Sequence, residues 1–164
     1  MIFVTVGTHE QPFDRLIKYI DRMKQSGRIK DDVIIQTGFS NYNPESCISN
    51  KLYPYKEMIS LVKEARIVIT HGGPSSFIMP LQFGKIPIVV PRLKKYDEHV
   101  NDHQLDFAKE VQKRQGNIIL VRNIEELIHV INKYDSIIND MPSELRSNNL
   151  KFTQNFEKIV RDLF

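Results

Sequence analysis

Short runs of β-branched and aliphatic residues, each closed by a glycine, a histidine-glycine pair or a proline, set the tightest limit on how this chain can fold. The run at 2–6 stops at Gly7, the run at 33–37 at Gly38, the run at 66–70 at His71-Gly72-Gly73, and the run at 86–90 at Pro91. Apolar runs of this length, without polar alternation, suit strands buried on both faces. A weaker run at 48–53 and another at 118–121 bring the number of strands to about six. Between them the apolar residues recur at helical spacing. Phe13, Leu16, Ile17, Ile20 and Met23 form one stripe behind Pro12, which can open a helix without missing its N–H. Met58, Ile59, Leu61, Val62 and Ala65 form another over 55–65, and a short helix ends at Gly84. Asn101 can cap a helix running to Arg114, and Asn123 can cap one that buries Ile124, Leu127, Ile128 and Ile131. Strands alternating with helices predict an α/β domain, a single Rossmann-like, doubly wound parallel sheet.

Composition adds exclusions. The 164 residues are 41% hydrophobic and 26% charged, enough for one globular core without disulfide or metal staples. Cys47 stands alone, which excludes an internal disulfide and a cysteine-based zinc site. The net charge of +3 is mild and dispersed, which argues against a nucleic-acid partner. No basic region precedes the first apolar run, so it reads as a strand and not as a signal peptide. Residues 67–84 lack Asp, Glu, Lys and Arg, yet His71, two adjacent glycines and two prolines disqualify them as a membrane span. The expectation is a soluble, cytoplasmic, single domain over 1–164. Its last part, 142–164, should be helical, with Phe152, Phe156, Ile159, Val160 and Leu163 on one face.

In doubly wound sheets, ligands bind beyond the carboxyl ends of the strands, where the strand order reverses. Three loops qualify: 7–11, 71–76 and 91–104. In the second, two glycines turn the chain sharply into a helix that starts near Ser75. Free N–H groups, the helix dipole and the Ser75 and Ser76 hydroxyls suit an anion. A tight turn with Ser75 as cap fits the same residues. In the first loop, Gly7, Thr8 and His9 lie ahead of a helix, and His9 can bind phosphate, move a proton or cap the sheet edge. In the third, Arg92, Lys94 and Lys95 read as solvated surface, or as cations that steer a phosphate. His99 and His103 are spaced like a zinc pair but lack the glutamate of that motif, so no metal site is expected. Ser75 and Ser76 do not sit in a hydrolase nucleophile elbow, and Cys47 reads as a packing residue.

Three segments together carry a resemblance: Val4-Thr5-Val6-Gly7-Thr8; Ile69-Thr70-His71-Gly72-Gly73-Pro74-Ser75-Ser76; and Pro87-Ile88-Val89-Val90-Pro91-Arg92 with Glu98-His99-Val100-Asn101-Asp102-His103-Gln104. Over roughly residues 1–122 the chain resembles the carboxyl-terminal, donor-binding domain of inverting GT-B glycosyltransferases, glycosyltransferase family 28. Within that group it is similar to the small catalytic subunits of two-component capsule and exopolysaccharide transferases. It is similar also to that of the eukaryotic dolichol-linked N-acetylglucosaminyltransferase.

The resemblance implies a UDP-sugar held between the glycine loops and the later helix starts. Gly7, Thr8 and His9 would face the diphosphate or sugar, and His71, Gly72, Gly73, Pro74, Ser75 and Ser76 would cradle phosphates. Arg92, Glu98, Asn101, His103 and Gln104 would complete the donor site, with His9 as the local candidate for the catalytic base. It further implies inverting transfer of a hexose to a lipid-linked sugar in capsule or exopolysaccharide synthesis, with no cofactor and no metal. A membrane-anchored subunit would hold the acceptor and recruit this chain to the inner face of the membrane; a homo-oligomer is compatible with the same reading. The alternative is a non-catalytic nucleotide-sugar-binding or assembly subunit that enhances a partner. One departure stands out. Where larger transferases carry a ribose-binding glutamate, this chain reads Phe77-Ile78-Met79-Pro80, and Pro80 should shorten or kink that helix.

Overall fold

The computed structural model of the chain describes residues 1–147. Six strands, β1 (Ile2–Thr5), β2 (Val33–Gln36), β3 (Ile48–Asn50), β4 (Ile67–Thr70), β5 (Ile88–Val89) and β6 (Ile119–Leu120), form one sheet in the order β3-β2-β1-β4-β5-β6. Every neighbouring pair is parallel. The order reverses between β1 and β4, where Thr5 and Thr70 stand opposite each other at the carboxyl ends. That places the ligand crevice of a doubly wound sheet between the loops that follow these two strands.

Alternation along the strands divides the core. Ile2, Val4, Ile67, Ile69 and Ile88 point to one face and pack with α1 (Asp14–Gln25) and α5 (Leu127–Asp140). Phe3 and Val68 point to the other face, against Val62 and Ala65 at the end of α2 (Tyr55–Glu64). On that same face Val89 meets α3 (Pro74–Gln82) and α4 (His103–Gln115) through Phe77, Leu81, Ala108 and Val111. Strands buried on both faces need no polar alternation, which is why they read as unbroken apolar runs.

Several boundaries move, each for a physical reason. Pro12 does not open α1; the helix starts at Asp14, because the carbonyls of Gln11 and Pro12 are taken by the Arg92 guanidinium. The third strand ends at Asn50, where its main chain turns to bond Thr37 and Gly38. Gly73 and not Ser75 stands at the cap of α3, with Pro74 as its first residue. Asp102 precedes α4, but Asn101 still contributes, its Oδ1 accepting from His103 N at 3.1 Å. Asn123 accepts from Glu125 N as expected. Pro80 lies inside α3, and that helix ends two residues later. Of the helical segment expected over 142–164, α6 (Ser143–Ser147) is described; Phe152, Phe156, Ile159, Val160 and Leu163 lie outside the described residues.

The asparagine-rich loop after β2 is pinned to α1 by two carboxylates seven residues apart, hence on one helix face. Asp14 Oδ1 accepts from Asn41 N and Tyr42 N, and the buried Asp21 accepts from Tyr42 Oη, Glu45 N and Ser46 N. Burial alone would raise the Asp21 carboxyl, but these donors outweigh it and hold it below the usual carboxylate range. The nearby Cys47 thiol is pushed up to about 12 by burial and by Asp21, which fits a packing role.

With its native pKa lowered, Asp21 stays charged in the folded chain after the unfolded chain has begun to take up protons. Its contribution is therefore present at neutral pH and lost as the pH falls through the native value. Urea unfolding across the acid range should give Asp21→Asn a stability lower by ~1–3 kcal/mol at pH 7. The loss should shrink towards low pH; an equal loss at every pH contradicts the assignment.

Candidate functional site

The carboxyl ends of β1 and β4 open into a cleft of ≈450 Å³. Its walls include Gly7, Thr8 and His9 from the first loop, His71, Gly73, Ser75 and Ser76 from the second, and Gln104 from α4. Eight of the residues expected from the sequence thus meet in one crevice. Beyond the Gly72-Gly73-Pro74 turn lies a second hollow of ≈540 Å³, which takes Gly72, Pro74 and His103 together with His99. The glycine turn is the ridge between the two.

His71 holds the crevice together. Its ring lies between the two glycine loops: a Cβ at Gly7 would stand 2.9 Å from His71 Nε2, and a Cβ at Gly73 would stand 3.0 Å from His71 Cδ2. Gly7 also has φ +74°, which favours glycine on backbone grounds. Gly73 has φ −72°, which any residue adopts, so the imidazole is what requires glycine there. The ring is buried, its Nδ1 has no partner in good hydrogen-bond geometry, and the Thr5 main chain gives a weak opposing pull. Burial first, then the charge of Arg92, lowers its pKa to about 3, so His71 is neutral at physiological pH.

Not every N–H of the second loop is free for a ligand. Gly72 N donates to Gln104 Oε1 and Ser76 N to Gly73 O, each at 3.1 Å. Gly73 N and Ser75 N are left without a protein acceptor among the described residues, beside two hydroxyls at the positive end of α3. Gln104 Oε1 also accepts from Arg92 N, so a single amide oxygen ties the loops after β4 and β5. A Cβ at Gly72 would stand 2.8 Å from Gln104 Cβ, which makes that approach possible only for glycine.

Arg92 and Glu98 are not where a surface reading puts them. Arg92 is fully buried, with Nη2 donating to Val6 O and Nη1 to the carbonyls of Gln11, Pro12 and Glu98. Four carbonyls that converge on one planar fork hold it in the protein, whereas Lys94 and Lys95 remain at the surface. Burial lowers its pKa to about 10, so it stays charged, and it biases both His9 and His71 towards the neutral form. Glu98 is buried beside it, gripped by Arg15 through Nε and Nη2 at 2.8 Å and accepting from Leu93 N. Both side chains scaffold the crevice from below, and neither lines it.

Arg15 and the liners Thr5, Gln36, Met58 and Val62 were not anticipated as site residues. Gln36 had a signal: a polar side chain at the end of a buried strand, here bonded to Thr5 Oγ1 and Tyr53 N. Met79 lines the cleft, and among the described residues no carboxylate stands beside it in that wall.

The family model described as the glycosyltransferase family 28 C-terminal domain matches residues 1–163. Among curated proteins, the chain is 27% identical over 130 residues to the UDP-N-acetylglucosamine transferase subunit ALG13 of Yarrowia lipolytica (strain CLIB 122 / E 150). The match covers 73% of this chain and 64% of that protein. Among solved structures, the fold is similar to the calicheamicin glycosyltransferase CalG4 (TM-score 0.61, 13% identity, 93% of this chain and 38% of that one). It is similar also to the glycotransferase of kitacinnamycin (TM-score 0.64, 16% identity, 90% of this chain and 37% of that one). This chain therefore spans little more than a third of those enzymes.

The burial of Arg92 yields a contrast. Arg92→Met should orphan four carbonyls and lower the unfolding free energy by ~3–5 kcal/mol in urea titration, as for other broken buried charge networks. Lys94→Ala with Lys95→Ala should change it by no more than ~0.5 kcal/mol, as exposed substitutions do. Equal effects would place Arg92 at the surface.

Proposed function

Since the chain belongs to the family of glycosyltransferase family 28 C-terminal domains, we propose that it is the UDP-sugar-binding, catalytic half of a two-component inverting glycosyltransferase. One observation carries this reading. The crevice at the strand-order reversal joins two glycine loops through a neutral, clamped imidazole, beside free N–H groups at a helix start and above a buried guanidinium. That is chemistry for a polyanion that must be held without being titrated.

In this reading, Gly73 and Ser75 N–H with the Ser75 and Ser76 hydroxyls take the diphosphate from one side, and Thr8 and His9 take it from the other. Gln104 has its oxygen occupied, so its amide N–H₂ remains for the donor sugar, with His103 next to it. Met58, Val62 and Met79 offer an apolar wall to the nucleoside, and no carboxylate there meets the ribose. The acceptor hydroxyl attacks the anomeric carbon, the bond from that carbon to the phosphate oxygen breaks, and UDP leaves with the electron pair. Main-chain dipoles and the Arg92 charge meet the developing negative charge, and we propose that no divalent metal is required.

The acceptor side belongs to a partner. A lone donor crevice leaves the reacting face open to water, and near-attack positioning is worth ~7–11 kcal/mol. We propose a membrane-anchored subunit that holds a lipid-linked sugar, as in capsule or exopolysaccharide synthesis, and recruits this single-domain chain to the inner membrane face. Among the described residues no helix is long and apolar enough to cross a membrane. The name of the Yarrowia relative, a transferase subunit, supports a split arrangement.

Calorimetry should find UDP bound by the isolated chain, with Ser75→Ala plus Ser76→Ala weakening it about tenfold, the loss of one or two charge-assisted hydrogen bonds. Hexose transfer to a lipid-linked acceptor should need membranes carrying the partner and should persist in EDTA. No UDP binding, or full turnover by the chain alone, contradicts the reading; binding without turnover beside the partner favours a non-catalytic subunit.

A further inference from the structure

His9, an exposed residue, lines the cleft, and one hydrogen bond selects the tautomer of its ring. Gln11 N donates to His9 Nδ1 at 3.1 Å. A ring nitrogen that accepts an N–H keeps its lone pair there, so the proton of the neutral ring sits on Nε2. Nε2 has no protein partner among the described residues.

A second imidazole leans against this one. The His99 ring lies 5.0 Å from that of His9, tilted by 41°. Asn101 Oδ1 stands 3.0 Å from His99 Nδ1 and also accepts from His103 N. Asn101 N also donates towards His99 Nδ1, at 3.4 Å, so that nitrogen faces both a donor and an acceptor of Asn101, and the ring is held from that side whichever nitrogen carries its proton. Through Asn101 the ring pair is tied to the first residue of α4.

The surrounding charges agree. Burial, then Arg92 and His99, disfavour a second proton on His9, while Glu10 favours one; the sum is a lowered pKa. His71, the remaining imidazole of the crevice, is neutral.

Resting on the donor-site reading above, we propose that His9 acts as a neutral Nε2–H hydrogen-bond donor to the diphosphate of the sugar donor, not as the catalytic base, and that His99 is a positioning residue for its ring. A base needs a lone pair free to take the acceptor proton. In His9 one nitrogen already accepts from Gln11 and the other already carries a hydrogen. A second proton, on Nδ1, would set two N–H groups against each other. Donation requires no transfer: Nε2–H bonds a phosphate oxygen and strengthens as charge builds on the leaving UDP. The acceptor proton then goes to a base outside this chain's crevice.

Glutamine and asparagine separate the two roles. The glutamine amide N–H reaches the place of Nε2–H, whereas asparagine reaches only the place of Nδ1. With the whole chain and UDP in a calorimeter, His9→Gln should stay within about threefold of the unsubstituted chain, while His9→Asn should lose about tenfold, the worth of one charge-assisted bond. Imidazole ¹⁵N resonances of the free chain should report His9 protonated at Nε2, and His99→Ala should mix its tautomers. Equal losses in His9→Gln and His9→Asn, or a proton on Nδ1, overturn the donor role alone. An unchanged tautomer in His99→Ala overturns the positioning role. No UDP uptake by the unsubstituted chain overturns this role together with the donor-site reading.

Discussion

The guanidinium of Arg92 is the constraint on which the crevice depends. Its donors reach the carbonyl that ends the first strand run, the two carbonyls before α1, and the carbonyl of Glu98. These groups come from segments far apart in the chain, and none would be satisfied by the sheet. A buried charge of this kind persists only when its donors are matched, and here the matching carbonyls are those of the loops that must be placed. The Phe13 ring closes one side at 4.9 Å from its carbon centre. Arg15 then binds Glu98 and Pro91 O, so α1 and the loop after β5 are locked to the same frame.

Upon that frame, His71 sets the distance between the two glycine loops. The absence of Cβ atoms at Gly7 and Gly73 leaves room for an imidazole and not, in the first place, for a phosphate. This changes the meaning of the glycine pair. Gly72 admits Gln104, Gly73 admits His71, and the ligand meets the N–H groups that these contacts leave over. Rigidity and recognition come from the same few atoms, which suits a site that must offer fixed dipoles to a developing charge.

The sheet, its order of elements and the crevice were legible in the sequence because they rest on local signals. Buried parallel strands read as apolar runs, helices as stripes, and the strand-order rule points to the loops ending at Gly7 and His71. Arg92 was not legible. Beside Lys94 and Lys95 it reads as one more surface cation, and its burial depends on carbonyls from residues 6, 11, 12 and 98. The late start of α1 follows from the same bonds. Met58 and Val62 look like plain core on an amphipathic helix, and only the docking of α2 beside the strand ends brings them to the cleft. Asn101 was placed one residue from the observed helix cap, yet its side chain does bond the helix start.

A crystal structure of the chain with UDP would test the account most directly. The diphosphate should lie in the β1/β4 crevice, hydrogen-bonded to Gly73 N, Ser75 N and His9 Nε2, with Arg92 and His71 unmoved beneath it. A diphosphate bound elsewhere, or one that contacts the Arg92 guanidinium itself, would contradict it.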